Sequence, residues 1–271
     1  MTSKAAAPRV PRPTPPCPIG RIPVTKITPV REGGRWPAKA VVGEAVPVGA
    51  TVFKEGHDAV GATAVLIGPD GKAHSAVRMH PVGQGLDRWE AWVVPDAVGR
   101  WQFRVEAWAD PYATWLHDAA IKVPAGIDVE LMLTAGAALM DQAAGRGPAA
   151  QREPFRTAAA VLRDTKLPPA VRLAAAAEGT VPALLQANPL RQQVTKSAAY
   201  PLQVDRERAL VGAWYEVFPR SVGAAFKPST GWQSGTLRTC AAGLDRIAAM
   251  GFDVVYLTPV HPIGTTFRKG R

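Results

Sequence analysis

Ala209-Leu210-Val211-Gly212-Ala213-Trp214-Tyr215-Glu216-Val217-Phe218 is an apolar run closed by the turn residues Pro219-Arg220-Ser221. Further along, Phe252-Asp253-Val254-Val255-Tyr256-Leu257-Thr258-Pro259 repeats the pattern and leads into Val260-His261-Pro262-Ile263-Gly264. Between the two, Gly235 to Met250 has helical spacing, with Leu244, Ile247 and Ala248 as its apolar stripe. Gly251 stands where a left-handed residue closes a helix. Strand, crossover helix and strand make one β/α unit. The two strands read as the first two of an α/β barrel, and a complete barrel needs about 250 residues. Residues 206–271 are therefore expected to be the start of a (β/α)8 barrel truncated after two strands. Two strands cannot close a barrel, so the chain alone is expected to be inactive.

Upstream, the hydrophobic period changes twice. Residues 1–20 are dense in proline (Pro8, Pro11, Pro13, Pro15, Pro16, Pro18), which opposes both helix and sheet ladders, and are expected to form a disordered tail. From Ile22 the period is two. Val46, Val48, Ala50 and Val52 alternate with other residues, as do Trp101, Phe103, Val105 and Ala107. Turn chemistry punctuates these runs at Gly33-Gly34, Pro69-Asp70-Gly71 and Gly83-Gln84-Gly85. Short alternating strands at near-regular spacing predict an antiparallel β-sandwich over 21–124. Over 125–190 the period becomes helical: Val129, Met132, Leu133, Ala137 and Met140, then Phe155, Ala158, Ala159 and Leu162. Breaks at Gly147-Pro148, Pro168-Pro169 and Asn188-Pro189 divide a small α-helical bundle of three or four helices. Residues 191–205 are expected to be a linker.

The net charge is +10. Of this, +7 falls in residues 1–39 and +3 in the last four, so the body of the chain is neutral. A basic tail and a basic end do not make a binding face, and the expectation is no nucleic acid partner. Cys17 and Cys240 lie in different predicted regions, which fits a reducing compartment. There is no apolar run of membrane-spanning length and no secretory leader pattern. The expected setting is cytoplasmic, with no membrane partner.

Candidate sites follow from the barrel rule that functional residues sit at the C-terminal ends of strands. Those ends are Phe218-Pro219-Arg220-Ser221 and Thr258-Pro259-Val260-His261-Pro262. Two roles are open to His261: a hydrogen bond to a sugar hydroxyl, or an imidazole that fixes the loop. Trp214 and Tyr215 point to opposite sides of their strand, with core packing the favoured role. Trp89, Trp92, Trp101, Trp108 and Trp115 could form an aromatic platform for glucan, but aromatics at period two more often fill a core. Trp89 and Trp92 lie on opposite faces of one strand, as do Trp101 and Trp108, so some of them must cover a surface. His57, His74, His80 and His117 do not have zinc spacing. The chain has no P-loop, dinucleotide fingerprint or nucleophile elbow, and no cofactor is expected. Phe267-Arg268-Lys269-Gly270-Arg271 reads, as sequence, as a solvated basic end.

The run Gly212 to Ser221 resembles the first barrel strand of the α-amylase superfamily, and Gly251 to Gly264 resembles its second. Adding the Phe267–Arg271 segment, Pro37-Ala38-Lys39-Ala40-Val41-Val42-Gly43-Glu44 and Phe53-Lys54-Glu55-Gly56-His57-Asp58-Ala59-Val60 narrows the likeness. Together they resemble the α-1,4-glucan:maltose-1-phosphate maltosyltransferases, over nearly everything after residue 20. The resemblance implies a homodimer, with sandwich and helical bundle contributing to dimerisation. It implies transfer of maltosyl from an α-maltose 1-phosphate donor to the non-reducing end of an α-1,4-glucan acceptor, with retention. Retention needs a nucleophile and an acid/base about 5 Å apart. Both are implied to lie on later barrel strands, so no catalytic residue is expected here. Of the donor-binding positions only Lys269 is implied within the chain. Gln233-Ser234-Gly235-Thr236-Leu237 departs from the family's His-Gly-Thr-Phe turn, which puts local contacts there in doubt. The alternative is a non-catalytic glucan-binding or dimerisation module.

Overall fold

Alternating burial in Val46–Val52, with Val46, Val48, Ala50 and Val52 inward and Pro47 outward, is repeated strand after strand in the N-terminal part of the chain. The structure is a computed structural model that describes residues 20–83, 85–261 and 264–267. The expected tail, residues 1–20, lies outside the described residues except for Gly20. Two compact units divide between Asp205 and Arg206.

The first unit contains β1 (Val24–Thr28), β2 (Ala38–Val41), β3 (Val46–Val52), β4 (Val60–Ile67), β5 (Ala73–Arg78), β6 (His80–Pro81), β7 (Arg88–Val93) and β8 (Gly99–Ala109). Five helices follow: α1 (Pro111–Lys122), α2 (Val129–Arg146), α3 (Arg152–Arg163), α4 (Pro169–Ala177) and α5 (Thr180–Ala187). The chain then returns as β9 (Gln192–Lys196) and β10 (Tyr200–Asp205). One sheet has the order β1-β3-β7-β6; the other runs β2-β10-β8-β4-β5, with β9 also on β8. Ala62, Ala64, Leu66, Phe103 and Val105 of the larger sheet share a core with Val48, Val52 and Val93 of the smaller one.

Three expectations are corrected here. Residues 191–205 are not a linker: β10 pairs antiparallel with β8 (Leu202 opposite Trp101) and parallel with β2 (Leu202 opposite Ala38). The larger sheet is therefore mixed, not wholly antiparallel. The intervening helical segment gives the long connection that a parallel return requires. The strand region also ends earlier than 124, because α1 starts at Pro111. Asp110 caps it by accepting from the Ala113 N–H at 3.0 Å, and Pro111 occupies the first turn, where no N–H is needed.

Side chains with one polar atom on an apolar body knit the helices together. Trp115 Nε1 donates to the Met132 carbonyl at 2.7 Å, tying α1 to α2. Tyr112 Oη donates to the Ala176 carbonyl at 2.7 Å, tying α1 to α4. Leu133, Met140, Phe155 and Leu162 fill the space between. Burying each large apolar side chain contributes about 1.5–3 kcal/mol.

The second unit contains β11 (Trp214–Val217), the hairpin β12 (Ala225–Lys227) and β13 (Gly231–Gln233), helices α6 (Leu237–Ala242) and α7 (Leu244–Ala249), and β14 (Val254–Leu257). β11 and β14 pair in parallel, Trp214 opposite Val254 and Val217 opposite Leu257. The expected single helix over Gly235–Met250 is two short ones meeting at Gly243. Gly251 has φ +86° and its N–H reaches the Ala248 carbonyl at 2.9 Å, so it closes α7 as expected. No helix among the described residues is long and apolar enough to cross a membrane.

Candidate functional site

Parallel pairing puts the C-terminal ends of β11 and β14 side by side, and a cavity of about 480 Å³ opens there. Phe218 to Ser221 form one wall and Thr258 to His261 another; Gly235, Thr236 and Leu237 form the third. Pocket volumes of this order suit small ligands.

The third wall is held by backbone and hydroxyl contacts. Gly235 N–H donates to the Arg220 carbonyl at 2.8 Å. A Cβ at position 235 would stand 1.9 Å from the Val222 carbonyl oxygen and 2.7 Å from that of Pro219, so only glycine fits this approach. Thr236 caps α6 by accepting from the Thr239 N–H at 3.2 Å, while the Thr236 N–H donates to Thr239 Oγ1 at 2.8 Å. This reciprocal pair is a capping box with threonine in the place usually taken by Glu or Gln. Thr239 Oγ1 also donates to the Val222 carbonyl at 2.7 Å, fastening α6 to the loop after β11. Sequence reading missed the closeness of this seam; Gly235-Thr236 followed by Thr239 was its signal.

The two faces of β11 separate as strand alternation requires. Tyr215 packs edge-on to Phe252, ring centroids 5.0 Å apart, and the Arg246 guanidinium of α7 lies 5.9 Å from its ring. Trp214 and Tyr256 share the other face, 6.4 Å apart, and both are exposed. Asp253 accepts from the Ala213 N–H at 3.1 Å and pairs with Arg208, fixing the start of both strands. His261 lines the cavity and is solvent-exposed. Lys269 lies outside the described residues.

The tryptophans in the first unit divide. Trp101, Trp108 and Trp115 are buried, Trp115 in helix α1 and not in a sheet. Trp92 is 45% exposed and stacks on His80, centroids 5.4 Å apart and planes 16° apart. Among the described residues no group of three or more His, Cys, Asp or Glu could hold a metal ion.

On the outer face of β8, Glu106 is buried and pairs with Arg104 at 2.8 Å, with Arg191, and with Lys196 at 3.8 Å. Burial alone would raise its carboxyl; hydrogen bonds from Arg191 and Arg104, with their charges, outweigh it and hold Glu106 below the usual value. Burial, with the nearby Asp110 charge, pushes the Tyr112 hydroxyl up to about 12.

A family model described as α-1,4-glucan:maltose-1-phosphate maltosyltransferase, domain N/S, matches residues 20–206. Among curated proteins, α-1,4-glucan:maltose-1-phosphate maltosyltransferase 2 of Streptomyces coelicolor is 56% identical over 254 residues, covering 93% of this chain and 37% of the relative. The Arcanobacterium haemolyticum maltosyltransferase is 50% identical, with the same coverage. That of Mycobacterium tuberculosis is 42% identical over 283 residues, covering 93% of this chain and 39% of the relative. The chain thus spans well under half the length of these relatives.

Proposed function

The chain belongs to the α-1,4-glucan:maltose-1-phosphate maltosyltransferase family, and from that premise we propose that it serves as the N-terminal part of an enzyme of glucan synthesis. That enzyme moves maltosyl from α-maltose 1-phosphate to the non-reducing end of an α-1,4-glucan, with retention. The observation that carries this reading is the 56% identity over 254 residues, which spans 93% of the chain.

In the proposed reaction a carboxylate attacks the anomeric carbon. The second carboxyl group, acting as acid, gives its proton to the departing phosphate as the carbon–oxygen bond breaks, and a glycosyl ester forms. An acceptor hydroxyl then displaces the carboxylate, and the second carboxyl group, acting as base, takes its proton. The reading assigns both carboxylates to barrel strands other than β11 and β14. β11 and β14 supply one side of the substrate cleft through their C-terminal ends, Lys269 contacts the donor phosphate, and His261 faces the sugar. A lysine suits the phosphate because its ammonium acts as a point charge.

The proposed assembly is a homodimer. It is supported by Ile121, Ile127, Leu131 and Val171, apolar side chains left exposed on and between the helices of the first unit. Exposed large apolar side chains are candidates for burial on association.

The test is a chimera in which residues 20–271 replace the matching segment of the Streptomyces coelicolor relative. It is expected to release phosphate from maltose 1-phosphate in the presence of a maltooligosaccharide, while the chain by itself releases none. A folded chimera without transfer would sink the reading. If the chain alone still dimerised and bound glucan, the non-catalytic module would take its place.

A further inference from the structure

The first unit has a cavity of its own, about 390 Å³, between the outer face of the larger sheet and the helices. Three arginines line it: Arg78 at the end of β5, Arg146 in the last turn of α2, and Arg191 just before β9. No Asp or Glu does. Gln151 and Asn188 add carboxamides, joined by Asn188 Nδ2 donating to Gln151 Oε1 at 3.2 Å.

The fold uses these cations only in part. Arg78 Nη2 pairs with the buried Asp110 at 3.0 Å while its Nη1 reaches the Gln186 carbonyl at 3.5 Å, and Arg191 Nη2 pairs with the buried Glu106. Their guanidinium groups lie 5.0 and 5.8 Å from the ring of Trp108, which is fully buried and donates to Thr63 Oγ1 at 3.1 Å. Both carboxylates stand outside the cavity wall. Glu106 is already shared with Arg104 and Lys196, so one negative charge meets three positive ones. Arg191 Nε is buried with no hydrogen-bond partner. Arg146 is exposed and makes no ion pair or hydrogen bond among the described residues.

A seam built only to join sheet and helices would leave no buried donor without a partner, because that is costly, yet Arg191 Nε is such a donor. This wall instead gathers positive charge around a space large enough for a small molecule. Guanidinium forks match planar or tetrahedral oxyanions in a bidentate manner. We propose that this cavity binds an oxyanion, the phosphate or carboxylate group of a small metabolite, with Arg146 as the ligand-committed cation. Arg78 and Arg191 contribute the donors their carboxylate partners leave unused, and the carboxamides of Gln151 and Asn188 contact the rest of the molecule.

Isothermal titration of the whole chain carrying Lys269→Ala, which removes the proposed donor contact, tests this with two probes: inorganic phosphate and malate. At least one is expected to bind with one-to-one stoichiometry. Phosphate alone would identify a phosphate site, malate alone a carboxylate site. Adding Arg146→Ala is expected to weaken binding by about tenfold or more, the loss of one charge-assisted contact. Arg146→Lys should recover part of it. The thermal midpoint without ligand should move little in either variant, because Arg146 has no hydrogen-bond or ion-pair partner among the described residues. No saturable binding of either anion, or equal binding with Arg146→Ala, overturns the proposal.

Discussion

Arg172 of α4 and Glu130 of α2 form a two-pronged ion pair, Nη1 to Oε1 at 2.6 Å and Nη2 to Oε2 at 3.0 Å. The arginine is 2% exposed, whereas the Glu130 side chain is 64% exposed. Nε and Nη2 also reach the Leu162 carbonyl near the end of α3, at 2.9 and 2.7 Å. One guanidinium therefore ties three helices together, and it satisfies a carbonyl that α3 leaves unpaired at its end. The hydrogen bond from Arg172 holds Glu130 below its ordinary value against a smaller opposing effect of burial.

Removing Arg172 is expected to cost about 1.5–3 kcal/mol, the range for hydrogen bonds to charged groups. Arg172→Ala loses both the pair and the Leu162 contact. Glu130→Gln keeps the Leu162 contact but leaves a buried cation with a neutral partner, and should destabilise by less than Arg172→Ala. Urea unfolding of the two variants measures both. An Arg172→Ala variant as stable as the parent would show that packing, and not this guanidinium, holds the three helices.

Helix α2 offers the same substitution with opposite expected signs. A Cβ at Gly136 would lie 2.2 Å from the Trp115 ring, so the indole seats directly on that glycine. Gly136→Ala gains helix propensity of about 1 kcal/mol but overpacks a filled contact, which costs about 1–3 kcal/mol. The net is expected to be destabilising. Gly145, in the same helix, has nothing within 4 Å of its would-be Cβ, so Gly145→Ala should stabilise by up to about 1 kcal/mol. Thermal midpoints should move in opposite directions.

How much of this was legible in sequence depended on range. Gly147-Pro148 and Asn188-Pro189 follow the ends of α2 and α5, and Pro168-Pro169 marks the start of α4, because proline and glycine act locally. The parallel strands β11 and β14 were readable from their apolar runs. β9 and β10 were not: Gln192-Gln193-Val194-Thr195-Lys196 carries little apolar signal, and its place in the sheet is decided by pairing with β8. Periodicity sees which residues share a face, not which distant strand claims them. The start of α1 was visible in Asp110-Pro111 but masked by the aromatic alternation that precedes it. The arginine-lined cavity was invisible for the same reason of range, since Arg78, Arg146 and Arg191 come from three separate segments.

Two of the shifted groups of the first unit, Glu106 and Tyr112, give opposite pH limbs. Glu106 sits below its ordinary value of 4.5, so its stabilising effect is present above that pH and is lost as pH falls through the folded value. Glu106→Gln should flatten the acid limb of a stability–pH curve and cost about 2 kcal/mol at neutral pH. Tyr112 sits above its ordinary value of 10.0, at about 12, so the folded state holds its proton longer than the unfolded chain. Its contribution is complete below pH 10 and is lost between there and about 12. Tyr112→Phe should remove that alkaline limb and leave the acid one unchanged. Chemical denaturation across pH reads both.

At the strand-end cavity, the prediction concerns shape rather than charge. Gly235 allows the α6 start to lie against the Pro219–Val222 turn, and Thr239 fastens it there. Gly235→Ala must push apart two backbone segments, since the nearest atoms are carbonyl oxygens that no rotamer change can clear. Thr236→Ala removes only the cap, with an expected cost of about 0.5–2 kcal/mol. If the cavity forms part of the substrate cleft, the two variants separate in the chimera with the Streptomyces coelicolor relative. Gly235→Ala should lower kcat/KM by at least about tenfold, because displacement of a cleft wall by about 1 Å is felt at the reacting atoms. Thr236→Ala should lower stability while leaving kcat/KM within about twofold. Equal losses in both would mean the wall matters only for folding, and the cleft would have to be sought on other faces of the second unit.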